Sequence, residues 1–286
     1  MKIVGIIGGL GNQMFQYALL AGLRETFKED IYADVSGFED YHLHNGLELE
    51  RVFPIKLKTT DKEIRHFKRL TLSRYANKYL PILCSNCQYE YPDFRYVETV
   101  YIKDRKDCYY LGYWHHHSYV DKFRDQLLHE FRFLKPLNEK NSQIVTDMQR
   151  EESVGIHIRR GDYLKEKQYQ GICEKEYYAE AIGMMRNRFK TPRFYVFSND
   201  VVWCQENLTQ LFGDAPIVFV DWNTGEKSYC DMQLMTYCKG LIIANSSFSW
   251  WGAFLNQQEN VYVIAPKRWK NAKYDLKIQM PEWTLI

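Results

Sequence analysis

The sequence predicts an α/β protein with parallel sheets, on three observations. Short apolar runs alternate with helical patterns through the second half, a strand–glycine turn–helix unit opens the chain, and 286 residues at 45% hydrophobic content can bury a large core. In order, Lys2 to Ile7 is an apolar run, and Gly8-Gly9-Leu10-Gly11-Asn12-Gln13 leads into Met14-Phe15-Gln16-Tyr17-Ala18-Leu19-Leu20-Ala21, which has helical spacing. Such a turn lets a ligand approach bare backbone and aims a helix N-terminus at negative charge, although the G-x-G-x-x-G spacing of a dinucleotide site is absent. The plainer reading is that these glycines only permit a sharp bend.

A strand at Ile31 to Val35 follows, with Asp34 near its end, and then the rhythm is lost. Asp61 to Leu80 reads as a basic helical stretch, with Lys62, Arg65, Lys68, Arg69, Arg74 and Lys78 beside a rough apolar stripe. A solvated face is the preferred reading of it, and a membrane-surface patch the other. The ring-rich run Tyr109-Tyr110-Leu111-Gly112-Tyr113-Trp114 suits core packing or a sugar-stacking wall. His115-His116-His117 tempts as a metal tract, but consecutive side chains point apart and rarely converge on one ion. A polar helix within residues 136 to 153 separates the halves, giving expected domains of 1–150 and 151–286.

The second half repeats regularly. Strands are expected at Val154 to Ile158, Phe194 to Phe197, Ile217 to Val220, Leu241 to Ala244 and Val261 to Ile264. Between them lie helical patterns at Tyr177 to Phe189, Val201 to Leu211, Lys227 to Tyr237 and Ser249 to Leu255. Ligands of parallel sheets bind beyond the carboxyl ends of the strands. Those ends carry His157, Arg159, Arg160 and Asp162, then Ser198, Asn199 and Asp200, then Asn245, Ser246, Ser247 and Phe248. Two adjacent guanidiniums on a strand-to-loop turn want an anion, and the planar fork of Arg matches phosphate oxygens. A diphosphate is the favoured ligand, and a structural ion pair with Asp162 the other reading.

Composition excludes several classes. A net charge of +2 from 38 basic and 36 acidic residues is no polyanion-binding signature, so no nucleic-acid partner is expected. Seven cysteines form no framework, and Cys84 and Cys87 make a lone C-x-x-C, so reduced thiols are expected. With a first strand at Lys2 and no apolar run of bilayer length, the expected location is cytoplasmic. Peripheral contact with the inner face of a membrane stays open.

Together, Gly8-Gly9-Leu10-Gly11-Asn12-Gln13-Met14-Phe15-Gln16-Tyr17-Ala18, His157-Ile158-Arg159-Arg160-Gly161-Asp162-Tyr163, Phe194-Tyr195-Val196-Phe197-Ser198-Asn199-Asp200 and Ile243-Ala244-Asn245-Ser246-Ser247-Phe248-Ser249-Trp250-Trp251-Gly252-Ala253-Phe254 resemble the four motifs of the bacterial α-1,2-fucosyltransferases, glycosyltransferase family 11. The resemblance runs in the family's order across nearly the whole chain. It implies a GT-B-like architecture, two Rossmann-like domains facing a cleft, with an N-terminal acceptor-side domain and a C-terminal domain that holds GDP-fucose. It also implies inverting transfer of L-fucose to the 2-hydroxyl of a galactose-containing oligosaccharide acceptor.

Carried over residue by residue, the resemblance makes Arg159 the diphosphate ligand with His157 beside it. Ser246 and Ser247 meet the donor phosphates, Phe248 lies near the nucleotide, and Asp231 recognises the guanine. Gly9 and Asn12 reach the donor from the other side of the cleft. The second motif of the family carries two acids where this chain has Asn199-Asp200. No cofactor is expected, and no metal, since the chain contains no D-x-D. Glu166 is the expected general base, with Asp34 and Asp162 as alternatives and Asp162 favoured for an ion pair by its closeness to Arg159 and Arg160. The other functional class is a catalytically idle nucleotide-sugar or glycan-binding module on the same fold.

Overall fold

The computed structural model describes residues 1–39, 44–59, 87–274 and 276–286, with Asp162 described by its backbone alone. The basic stretch at 61–80, Cys84, and the pairing expected of the Asp162 side chain lie outside the described residues. Two compact units are present, Met1–Leu134 and Lys135–Ile286. This division falls before the expected 150/151 boundary because the polar helix at 139–150 packs against elements of the second unit.

In the first unit, β1 (Lys2–Gly5) runs into α1 (Leu10–Phe27) and β2 (Ile31–Asp34), and later come β3 (Cys87–Tyr89) and β4 (Cys108–Leu111). All pairings are parallel, in the order β2-β1-β4-β3. Helix α1 begins at Leu10, earlier than its periodicity indicates, because the turn is completed by Gly8 and Gly9 alone. Gly8 has a φ of +90°, a conformation that disfavours any residue with a Cβ. Most of α1 from Leu10 to Leu23 is buried, so it packs as a central helix rather than a half-solvated one. The ring-rich run divides: Tyr110 and Trp114 are wholly buried, whereas Tyr113 is exposed.

The second unit opens with α3 (Glu139–Arg150), numbered after the short α2 (His117–Asp121) of the first. Asn138 caps α3 by accepting from the Asn141 amide at 2.9 Å. There follow β5 (Glu152–Ile158), α4 (Lys175–Arg188), β6 (Pro192–Ser198), α5 (Val201–Leu208), β7 (Ile217–Val220), α6 (Tyr229–Met235), β8 (Gly240–Ile242), α7 (Ser247–Phe254), β9 (Tyr262–Ala265) and β10 (Thr284–Leu285). Val154, Ile156, Phe194, Val196, Ile242 and Ile264 build a core beneath Tyr178, Ala181, Ile182 and Met185 of α4. At about 25 cal/mol per Å² of apolar surface, this covered sheet is what holds the unit together.

The sheet order is β10-β9-β8-β5-β6-β7, all parallel. The chain therefore starts in the middle at β5, moves outward through β6 and β7, and returns by α6 to lay β8 on the other side of β5. The winding reverses between β5 and β8, and a crevice opens there at the carboxyl ends of the strands. The first sheet reverses in the same manner between β1 and β4.

Candidate functional site

Two contacts bridge the β5–β8 crevice. The Tyr163 hydroxyl donates to the Asn245 carbonyl at 3.2 Å, and the His157 ring lies 5.6 Å from that of Phe248. Beside them the Arg159 guanidinium carbon sits 5.5 Å from the centre of the Tyr163 ring, which stacks at 4.2 Å on Tyr169. Cation and ring attract each other, which helps to orient the planar fork. His157 is buried, and its Nδ1 has no hydrogen-bond partner. Burial, reinforced by the Arg159 charge, pulls its pKa down to about 3, so the imidazole stays neutral at physiological pH.

Across the crevice, Ser246 is the N-cap of α7, its own side chain making no capping hydrogen bond, and Ser247 is the first residue of the helix. The first turn of a helix carries amide N–H groups without acceptors inside the helix, and its dipole favours negative charge. Asn245 is anchored by donating from Nδ2 to the Trp269 carbonyl at 2.9 Å, and the Ser249 hydroxyl donates to the Ser246 carbonyl at 3.3 Å. The serine turn is thus rigid before any ligand arrives. Arg159 thus follows β5 and the α7 N-terminus follows β8, two groups of a kind that favours anions.

The neighbouring arginine does something different. The Nε of Arg160 lies 3.3 Å from an Asp200 carboxylate oxygen and its guanidinium lies 3.6 Å over the Trp203 ring. Its amide donates to Oδ1 of Asn199 at 2.9 Å. Asp200 also caps α5, accepting from the Trp203 amide at 3.2 Å. Of the two adjacent guanidiniums, Arg160 is therefore committed inside the protein, with Asp200 as its described acidic partner. Asn199 serves the turn as an acceptor, which its amide provides as well as a carboxylate would. Gly161 closes that turn at a φ of +56°, where a Cβ would meet the Asn199 amide at 2.6 Å.

Asp231 lies in the first turn of α6, the crossover leading to β8. Its Oδ1 accepts from Asn223 at 2.9 Å, the Asn223 Oδ1 accepts from Asn141 at 2.9 Å, and the Asn141 Oδ1 accepts from the Trp222 indole at 2.7 Å. Burial pushes the Asp231 carboxyl up to about 7 despite the Asn223 hydrogen bond. Asn141 and Asn223 were not foreseen, since residues 82 apart in sequence meet only through the fold.

Glu166 stands exposed at the end of the turn that follows Arg159. Asp34 is buried, and both its oxygens are engaged: Oδ2 accepts from the Tyr109 hydroxyl at 2.6 Å and Oδ1 from the Ser36 amide and hydroxyl at 3.0 and 2.5 Å.

In the first unit, Gly9 is the N-cap of α1 and Asn12 lies in its first turn. The Oδ1 of Asn12 is 3.1 Å from Nε2 of His115, which follows β4. Gln13 ties the turn to Gly8 and Gly46 by donating to their carbonyls, and the buried Glu48 carboxylate receives the Leu10 amide, Asn45 and Arg51. The histidine tract is split by use: His115 faces Asn12, and His116 accepts the Ser118 amide at the start of α2. Among the described residues no three His, Cys, Asp or Glu side chains are grouped to hold a metal ion. No described helix is long and apolar enough to cross a membrane.

The family described as Glycosyl transferase family 11 matches residues 1–286. An α-1,2-colitosyltransferase of Escherichia coli is 32% identical over 276 residues, covering 93% of this chain and 91% of its own. Galactoside α-(1,2)-fucosyltransferase 2 of Gorilla gorilla gorilla is 26% identical over 300 residues, covering 100% of this chain and 79% of its own. Among solved structures, the NodZ α-1,6-fucosyltransferase co-crystallised with GDP is similar at a TM-score of 0.50 and 14% identity, over 88% of this chain and 91% of that one. That likeness makes the fold GT-B-like.

Proposed function

This chain belongs to glycosyl transferase family 11, and from that premise we propose that it transfers L-fucose from GDP-fucose to the 2-hydroxyl of a galactose-bearing glycan, forming an α-1,2 linkage with inversion. The observation that carries the proposal is the β5–β8 reversal, whose neighbouring strands lead into Arg159 on one side and the serine turn that starts α7 on the other. A nucleoside diphosphate leaving group gains negative charge as the glycosidic bond breaks, and fixed cations and amide dipoles stabilise that charge without reorganising.

The proposed division of work places the donor on residues 151–286 and the acceptor on residues 1–150. Arg159, Ser246 and Ser247 hold the diphosphate, Phe248 and neutral His157 line its approach, and Asp231 accepts from N1–H and the exocyclic amine of guanine. Asn199 and Asp200 act one step back, by setting the turn and engaging Arg160 so that Arg159 is presented. Gly9 and Asn12 supply polar contact to a sugar. No metal is needed in this scheme, since the arginine and the helix N-terminus neutralise the leaving group.

For the acceptor proton, Glu166 is the accessible carboxylate, whereas Asp34 is spent on Tyr109 and Ser36. Glu166→Gln should lower kcat about a hundredfold and remove the acidic limb of the pH profile. An unchanged limb clears it of the role.

A second donor has a specific reason to be tried, the 32% identity to an α-1,2-colitosyltransferase. Colitose lacks one hydroxyl that fucose carries. Incubation with lactose and either GDP-fucose or GDP-colitose should release GDP, and NMR of the product should show a new α-1,2 glycoside. Turnover with GDP-colitose alone replaces the donor, and GDP binding without turnover of either sugar favours the idle module.

A further inference from the structure

We propose that Trp222 is a positioning residue for Asp231: its indole N–H fixes the direction of a chain of hydrogen bonds through Asn141 and Asn223, so that the chain ends in a donor to the Asp231 carboxylate, a role that rests on the reading of Asp231 as the guanine contact. The side-chain amides of Asn141 and Asn223 pair reciprocally, Asn141 Nδ2 donating to Asn223 Oδ1 at 2.9 Å and Asn223 Nδ2 to Asn141 Oδ1 at 3.2 Å. The second hydrogen of Asn223 Nδ2 goes to Asp231 Oδ1 at 2.9 Å, and Asn141 Oδ1 also accepts from the Trp222 indole at 2.7 Å. Both amides are buried. Three elements meet in this chain: the first turn of α3, the segment after β7 and the first turn of α6.

A reciprocal amide pair has no direction of its own. If both amides turn over, the pair still closes, but the Trp222 N–H then meets an NH₂ group and Asp231 meets an amide oxygen. The indole only donates, so it opposes the turned arrangement. An ionised carboxylate opposes it as well, whereas a protonated carboxyl can donate to the amide oxygen and tolerates it. The direction of the pair and the charge of Asp231 are thereby coupled, and Trp222 biases both toward the ionised acid. Its ring is held by the Lys140 ammonium, 3.6 Å over the ring centre, and Asn141 by the Asn138 cap at the start of α3. The ionisable groups of the surrounding elements are Tyr229 and Cys230 on α6, Glu226 and Lys227 ahead of it, Asp221 after β7, and Glu139, Lys140, Asp147 and Arg150 on α3, while α7, packed against α6, has none. None of them shifts Asp231, which answers to burial and to the Asn223 hydrogen bond.

Trp222→Phe keeps a ring under Lys140 and removes only the donor. In protein labelled with ¹³C at the aspartate carboxyls, the Asp231 signal, identified by its loss in Asp231→Asn, should titrate near pH 7 in the wild type. Trp222→Phe should move that midpoint up by about half a pH unit and Asn223→Ala by about one, since the first weakens and the second removes donation to the charged form. GDP affinity, measured by calorimetry, should fall about twofold at pH 7 in Trp222→Phe and return to the wild-type value at pH 8.5, where the carboxyl is ionised in both. A disturbed site would lose affinity equally at every pH. The double variant should titrate with Asn223→Ala, because Trp222 acts through Asn223. The proposal is overturned by a midpoint that Trp222→Phe leaves in place or lowers, by a loss of affinity that pH 8.5 does not restore, or by additive shifts in the double variant. Trp222→Phe, which leaves the amide pair intact, carries the test where Asn223→Ala does not fold. If Asp231→Asn binds GDP as the wild type does at every pH, the guanine reading fails, while the ¹³C midpoint still decides whether Trp222 directs the chain.

Discussion

The two units solve the same geometric problem with different side chains. Each places its first strand beside a strand from later in its sequence and puts functional side chains where the winding reverses. At the β5–β8 reversal the strand ends lead into Arg159 and the N-terminus of α7, groups of a kind that favours anions. Around the first sheet's rim the described groups include the buried carboxylates Asp34 and Glu48, the latter paired with Arg51, with Asn12 and His115 between the strands. Such a mixed polar set suits neutral hydroxyls, which need donors and acceptors alike. Topology chooses the place; the residues at the strand ends choose the ligand's charge.

The largest test of that contrast is Arg159→Lys. It keeps the charge but loses the fork, and turnover should fall about a hundredfold or more, measured as GDP release. Near wild-type kcat would remove the anion clamp from the second unit's side of the comparison. A smaller effect, about tenfold, is expected from pH. If guanine is read by ionised Asp231, whose carboxyl burial raises to about 7, GDP affinity should be lowest in acid and rise to a plateau above pH 7. Titration calorimetry at pH 6 and 8 checks this, and Asp231→Asn should flatten the dependence.

In the first unit, Gly8→Ala forces a Cβ into a left-handed turn and against the Asn12 amide. Urea unfolding should show a loss of about 1–2 kcal/mol, with GDP affinity unchanged. Loss of GDP affinity would mean that the units are not separable in the way proposed. The smallest expected effect is none: excess EDTA should leave the rate intact if Arg159 and the α7 N-terminus do a metal's work. Restoration of an EDTA-treated enzyme by Mn²⁺ or Mg²⁺ would defeat that.

What could be read beforehand follows from how local each signal is. β5, β6, β7, β8 and β9 were legible because each is a run of apolar residues covered on both faces and bounded by a helix. β3, β4 and β10 were not: β3 and β10 lack an apolar run, and β4 is hidden in a run of rings. The start of α7 was placed late: it begins at Ser247 rather than Ser249 because the serines themselves turn the chain. At the site, the strand-end residues were visible from their motifs. The commitment of Arg160 to Asp200 and Trp203, the pairing of Asn12 with His115, and the Asn141–Asn223–Asp231 chain were invisible. Each joins residues that only the sheet order makes neighbours.

That sheet order also dictates when the protein can become competent during its synthesis. Val154 pairs with Gly240, and Lys2 with Cys108, so each reversal point joins strands separated by most of their unit. Such long-range parallel pairings are slow to close and expose apolar edges until they do. A nascent chain that has emerged only as far as β7 has three adjacent strands of the second sheet but no opposite lip to its crevice. Nucleotide binding should therefore arise late and all at once, and GDP added to a refolding chain should capture the finished sheet rather than its fragments.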